Sequence, residues 1–222
     1  MTQFRDRADA GRQLAAALKS CAAEHPIVLA LPRGGVAVAA EVARALSAPL
    51  DVCVVRKVGV PWQPELGAGA VAEGGQLYLS PAVLAACGLT EASLAGAIAA
   101  ERREIDERVK KFRGDRPRPP LHGQTVIVVD DGIATGGTVR AAIQSIRAEG
   151  PKKIILAVPV ASPEAVEELS AEVDRVVALQ TPASLMAIGY WYDDFTQVSD
   201  DAVVRMLDRA RREHASAAPV VA

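Results

Sequence analysis

Val126-Ile127-Val128-Val129-Asp130-Asp131-Gly132-Ile133-Ala134-Thr135-Gly136-Gly137-Thr138 is an apolar run that stops at two carboxylates and then enters a glycine-rich turn. Four β-branched residues in succession suit a strand buried on both faces, as in a parallel sheet covered by helices. Gly132, Gly136 and Gly137 allow successive N–H groups to line the inside of a curve, and Thr135 and Thr138 add hydroxyl donors at the start of the next helix. Free N–H groups there, with the positive end of the helix dipole, make a phosphate cradle. Asp130 and Asp131, just upstream, accept hydrogen bonds when ionised, and a cis-diol offers two matching donors. The stretch therefore reads as a ribose 5-phosphate site. It is not the nucleoside-triphosphate loop, which needs Lys-Ser or Lys-Thr after its glycines, nor the dinucleotide fingerprint, whose glycine spacing differs. A plain surface turn, with Asp-Gly and Gly-Gly as punctuation, does not account for a strand, an acid pair and a helix-opening turn together.

Outward from this stretch the chain repeats a β-α order that argues a parallel sheet. Ile27 to Leu31 reads as a strand before Pro32-Arg33-Gly34-Gly35 and a helix from Val36 to Leu46. A strand over 51–56, Val52-Cys53-Val54-Val55 at its centre, ends in Arg56-Lys57, an awkward place for two cations unless an anion meets them. Residues 58–67 hold Gly59, Pro61, Pro64 and Gly67 and read as a loop. A hairpin follows, Ala68 to Ala72 and Gln76 to Leu79 about Gly74-Gly75. Helices are expected from Arg5 to Lys19 and from a Thr90 cap to about Phe112, the latter with an apolar stripe of Leu94, Ile98, Ile105, Val109 and Phe112. Arg116-Pro117-Arg118-Pro119-Pro120 reads as a stiff connector. After the opening stretch come a helix to about Glu149, a strand Lys153 to Val158, a helix Pro163 to Ala171 and a strand Arg175 to Leu179. The tail from about Ala215 reads as disordered.

Composition narrows the classes of function. The 222 residues, 50% of them hydrophobic, can bury one sizeable core, and residues 1–222 are read as a single domain. A net charge of −2 and a pI near 6.0 give no bulk attraction to DNA, RNA or anionic lipid. Cys21, Cys53 and Cys87 show neither disulfide nor zinc spacing and suit idle thiols in a reducing cytoplasm. No apolar signal core opens the chain and no stretch is long and apolar enough to span a bilayer, so no membrane partner is expected. Without a Gly-x-Ser-x-Gly elbow, an α/β hydrolase has little support.

The Asp130 to Thr138 segment resembles the signature that binds phosphoribosyl pyrophosphate (PRPP) in type I phosphoribosyltransferases. The resemblance implies a three-layer α/β/α fold with a mostly parallel twisted sheet, an antiparallel edge strand and a small hood. Asp130 and Asp131 would hold the ribose hydroxyls and Mg2+, through water or ribose, while Ala134, Thr135, Gly136, Gly137 and Thr138 would wrap the 5-phosphate. Arg33, Gly34 and Gly35 would form the pyrophosphate loop, and Arg56-Lys57 is similar to the Arg-Lys pair of the adenine and orotate members. A lid over about 58–75 would exclude water, with Glu65 or Glu73 as acid or base. The hood, about 181–197, would hold the base against Tyr190, Trp191 and Tyr192. Ala134 stands where the hypoxanthine-guanine type has an aspartate, which argues against a 6-oxopurine mechanism. From Phe4-Arg5-Asp6-Arg7 to Asp193-Asp194-Phe195 the chain is similar to a bacterial group of phosphoribosyltransferases whose acceptor the resemblance does not give. The implied activity is Mg2+-dependent transfer of phosphoribosyl from PRPP to a small nitrogenous base, with a homodimer left open. The alternative is a PRPP-sensing regulator that transfers nothing.

Overall fold

In the computed structural model, which describes residues 3–217, five parallel strands form the central sheet. They are β1 (Ile27–Ala30), β2 (Leu50–Val52), β6 (Thr125–Val129), β7 (Lys153–Val160) and β8 (Arg175–Gln180), in the order β2-β1-β6-β7-β8. Every residue of β1, β2 and β6 is buried, as the continuous apolar runs require. Alternate residues serve opposite faces. Val28, Ala30, Ile127 and Val129 join one apolar cluster with Leu14, Val38, Val42 and Leu207, whereas Ile27, Leu29, Val126 and Val128 join a second with Val139, Ile143 and Leu169. The sheet is thus the middle of three layers.

On the first face lie α1 (Arg7–Ala17), α2 (Gly34–Leu46) and α7 (Asp200–Ala217); on the second lie α5 (Gly137–Ala148) and α6 (Pro163–Ser170). The Asp6 carboxylate caps α1 by accepting from Asp9 N, and Ser162 caps α6 through Ala165 N. α1 presses so closely on α2 that a Cβ at Gly11 would sit 2.6 Å from Val38 O. The expected helix Arg5 to Lys19 is shorter by two residues at each end, and α2 starts at Gly34 rather than Val36.

The expected 51–56 strand and the 58–67 loop are both corrected. The first divides into β2 and β3 (Val55–Val60), separated by Cys53 and Val54; the second is mostly strand, because β3 turns at Pro61-Trp62 into β4 (Gln63–Ala72). With β5 (Leu77–Leu79) these strands form their own antiparallel sheet, β3-β4-β5, rather than an antiparallel edge of the central one. Gly59 lets the hairpin close where a Cβ would lie 2.5 Å from Pro64 O, beside the register shift at Val58 and Gly59.

The small sheet is held by α4 (Glu91–Arg113), which the Thr90–Ser93 capping box opens and which a short α3 (Pro81–Cys87) precedes. From the last turn of α4 the buried Arg113 pairs with Asp51 at 3.0 Å, pairs with Glu73 and donates to Val52 O at 3.0 Å. Glu73 is thereby committed to the scaffold and not to acid or base work in a lid. The tail expected from Ala215 also divides, since 215–217 complete α7 and residues beyond 217 lie outside those described. All three cysteines are free, and burial pushes the Cys53 thiol up to about 11. Among the described residues no single helix is long and apolar enough to cross a membrane.

Candidate active site

In the central sheet the chain leaves β1 for β2 on one side and returns to β6 on the other, so the winding reverses between β1 and β6. The two strands end level: Ala30 pairs with Val129, and Leu31 N donates to Val129 O at 2.9 Å. Beyond β1 comes Pro32-Arg33, joined by a cis peptide, and then Gly34-Gly35; beyond β6 comes Asp130-Asp131. These segments touch. A Cβ at Gly34 would collide with the Asp131 carboxylate, and one at Gly35 would lie 2.8 Å from Val129 O and 2.9 Å from Asp130 Cα. Only glycine brings the first loop against the acid pair.

The turn after the acids is tied to the end of β7. Ile133 N donates to Val160 O at 2.9 Å, Ser162 N to Ile133 O at 3.0 Å and Ser162 Oγ to Ala134 O at 2.8 Å. Gly136 then takes φ +73°, which suits glycine, and stands as the N-cap of α5 without a capping side chain. The first-turn amides of α5 are left to an outside acceptor, where the dipole also favours an anion. Asp130 to Val139, together with Ile188, line a cavity of about 270 Å³.

Asp130 Oδ1 accepts from Asp131 N at 2.8 Å, and Asp131 Oδ2 accepts from Arg7 Nε at 2.7 Å. Burial raises both carboxyls above their ordinary range; the Asp131 charge raises Asp130 further, while Arg7 pulls both back. Ionising the pair therefore carries a cost that a hydroxyl donor or a cation would relieve.

The expected cations do not converge on this cavity. Arg33 turns toward α7, 3.7 Å from Asp200, which also pairs with Lys111 at 2.8 Å. Arg56 and Lys57 lie within β3, not at the end of a central strand, and Arg56 pairs with Glu101 of α4 at 2.7 Å. Lys57 lines a neighbouring cavity of about 420 Å³ with Tyr78, Arg140 and the cradle residues Thr135, Gly137 and Thr138. The side chain of Glu65 lies outside what is described.

The hood aromatics are also corrected. Tyr192 is 4% exposed, packs at a tilt against Phe4 with ring centres 5.4 Å apart and donates its hydroxyl to Asp131 O at 2.6 Å, so no face is open to a base. Its phenol is pushed up by burial and then by the Asp131 charge. Tyr190 and Trp191 line a separate apolar hollow with Gln3, Ser184 and Met186. Ile188 is the hood residue at the cradle, close enough that a Cβ at Gly132 would lie 2.5 Å from its Cγ2. The sequence marks position 188 only as part of the 181–197 span. It marks Arg7 only within the opening motif, because no local spacing points to a carboxylate 124 residues away.

Comparison with known proteins agrees with this geometry. A family model described as "Phosphoribosyl transferase domain" matches residues 2–194. A curated Mycobacterium tuberculosis (strain H37Rv) protein, named "Putative phosphoribosyl transferase", is 48% identical over 220 residues, 99% of this chain. The chain spans about half the length of that relative, 50%. A uracil phosphoribosyltransferase of Lactobacillus gasseri is 38% identical over 85 residues, 37% of this chain and 40% of its own. Among solved structures, the Thermus thermophilus protein TT1426 aligns with a TM-score of 0.81 at 47% identity, covering 93% of this chain and 98% of its own. With its strand-end acids, its glycine-threonine turn and these relatives, the chain belongs to the phosphoribosyl transferase domain family.

Proposed function

We propose that this chain transfers the 5-phosphoribosyl group of PRPP to the nitrogen of a small base and releases pyrophosphate, with Mg2+ as cofactor. The observation that carries the reading is the meeting of Asp130-Asp131, the uncapped Gly136-Gly137 turn and the Gly34-Gly35 loop at the reversal point of the sheet. The turn binds the 5-phosphate through backbone amides and the Thr135 and Thr138 hydroxyls. Asp130 accepts from the ribose hydroxyls, and Asp131, held by Arg7, sets the orientation of that edge.

The bond from the anomeric carbon to the pyrophosphate oxygen breaks, the bond to the base nitrogen forms, and the nitrogen's proton passes to solvent. Fixed donors and charges assist such a displacement by positioning and by stabilising the departing polyanion. Arg33 or Lys57 reaches the leaving group only by exchanging its present partners. Ile188 supplies an apolar contact for the base and helps keep water out.

The acid pair fits a metal held mainly by its ligand. Among the described residues no group of three or more His, Cys, Asp or Glu could hold one, and Mg2+ is usually bound by one or two carboxylates plus phosphate oxygens and water. When bound with PRPP, Mg2+ supplies positive charge to the leaving pyrophosphate.

Pyrophosphate release tests the reading, with PRPP, Mg2+ and a panel of pyrimidines, purines and small heterocycles. Uracil comes first, because one partial relative is a uracil phosphoribosyltransferase. We expect release with at least one base and none without base. Silence across the panel with tight PRPP binding retained would replace transfer by sensing.

A further inference from the structure

The opening Phe4-Arg5-Asp6-Arg7 and the distant Asp193-Asp194-Phe195 form one clasp. Asp193 N donates to Phe4 O at 2.8 Å, Asp194 N to Arg5 O at 2.9 Å and Phe4 N to Trp191 O at 2.9 Å. The clasp carries Arg7, the first residue of α1, inward to the acid pair. There its Nε donates to Asp131 Oδ2 at 2.7 Å, its NH1 to Thr196 O at 2.9 Å, and its guanidinium carbon lies 3.7 Å from the Phe195 ring centre. Only 11% of the Arg7 side chain is exposed.

An exposed ion pair is loose and worth little. This one is fixed on three sides, because a planar guanidinium can bond a carboxylate, donate to a carbonyl and stack on a ring at once. The other acid beside it, Asp194, is occupied by Thr196, whose N and Oγ1 donate to it at 2.9 and 2.6 Å. The permanent charge of Arg7 is therefore spent chiefly on Asp131 and, behind it, Asp130.

Two adjacent half-buried carboxylates, once ionised, would otherwise draw a divalent cation. With a guanidinium bonded to one of them, the net charge that an arriving ion meets falls from two negative charges to one. We propose that Arg7 is a positioning residue that serves as a built-in counter-ion: it holds Asp131 and keeps bare divalent cations off the acid pair. A metal then enters the site only in company with the polyanion that carries it. This last consequence rests on the proposed function; the action of Arg7 on bare cations does not.

Mn2+ alone, without PRPP, is the probe. Its binding to the full chain is measured by the loss of free-ion paramagnetic resonance for wild type, Arg7→Gln and Arg7→Lys. Removing the charge should tighten Mn2+ binding roughly tenfold or more, and lysine, which keeps the charge, should stay near wild type. A merely structural arginine would give no tightening. If Arg7→Gln folds poorly, millimolar Mn2+ should raise its melting temperature more than that of wild type, by linkage to the folded state. The proposal is overturned if Arg7→Gln binds Mn2+ no more tightly than wild type, if lysine matches glutamine, or if Mn2+ shifts both melting curves equally. Failure of wild type to bind PRPP would sink the proposed function while leaving this contrast intact.

Discussion

Asp130 and Asp131 are adjacent and half-buried at one strand end, and that placement has a stability consequence. Both carboxyls stand above their ordinary value of 3.8 in the folded chain, from burial first and, for Asp130, from its neighbour's charge next. The folded state therefore holds these protons more tightly than the unfolded state. Stability on this account is greatest below pH 3.8 and is lost as pH rises from there through the raised values. Asp130→Asn keeps an oxygen for Asp131 N and removes one charge. It should raise the melting temperature of the ligand-free protein at pH 7 by about 2–4 °C, the shift that about 1 kcal/mol gives at this size. A melting temperature at or below wild type in thermal scans would contradict the strain. The acids and the cradle were legible because strand, carboxylates and glycines are contiguous. Arg7 was not, since its meaning depends on a tertiary contact.

Among the elements, the antiparallel sheet was the least legible. Gly59, Pro61, Pro64 and Gly67 are turn-formers by composition, yet Gly59 lies within β3, where a Cβ would lie 2.5 Å from Pro64 O. Close backbone approach, not a loop, explains that glycine. What fastens this sheet to the central one is the Arg113, Asp51 and Glu73 network, which joins α4, β2 and the end of β4. Arg113→Ala would leave the buried Asp51 and the half-buried Glu73 without this cation and should cost about 3–5 kcal/mol, read as a lower midpoint in urea denaturation. A loss under about 1 kcal/mol would mean that packing alone holds the sheet. The aromatics of 181–197 stood out in the sequence, but their roles were not legible: Tyr192 packs against Phe4, and the smaller Ile188 faces the cradle.

At the scale of the whole molecule, alternating apolar strands and helices gave the layered parallel sheet directly, and its reversal point locates the site. The order β2-β1-β6-β7-β8 brings Gly34-Gly35 and Asp130-Asp131 together from opposite halves of the sequence. The same topology does not by itself bring Arg33, Arg56 and Lys57 onto the acids, because Arg33 and Arg56 pair with acids elsewhere and Lys57 lines the neighbouring cavity that shares Thr135, Gly137 and Thr138. The central claim is thus that the acids and the glycine turn grip PRPP as one unit. Calorimetric titration of PRPP with and without Mg2+, into wild type and the Asp130→Asn/Asp131→Asn double variant, tests it most directly. The account predicts Mg2+-dependent binding that weakens roughly a hundredfold in the variant, as two lost hydrogen bonds to charged groups would give. Equal affinity in the two proteins would contradict it.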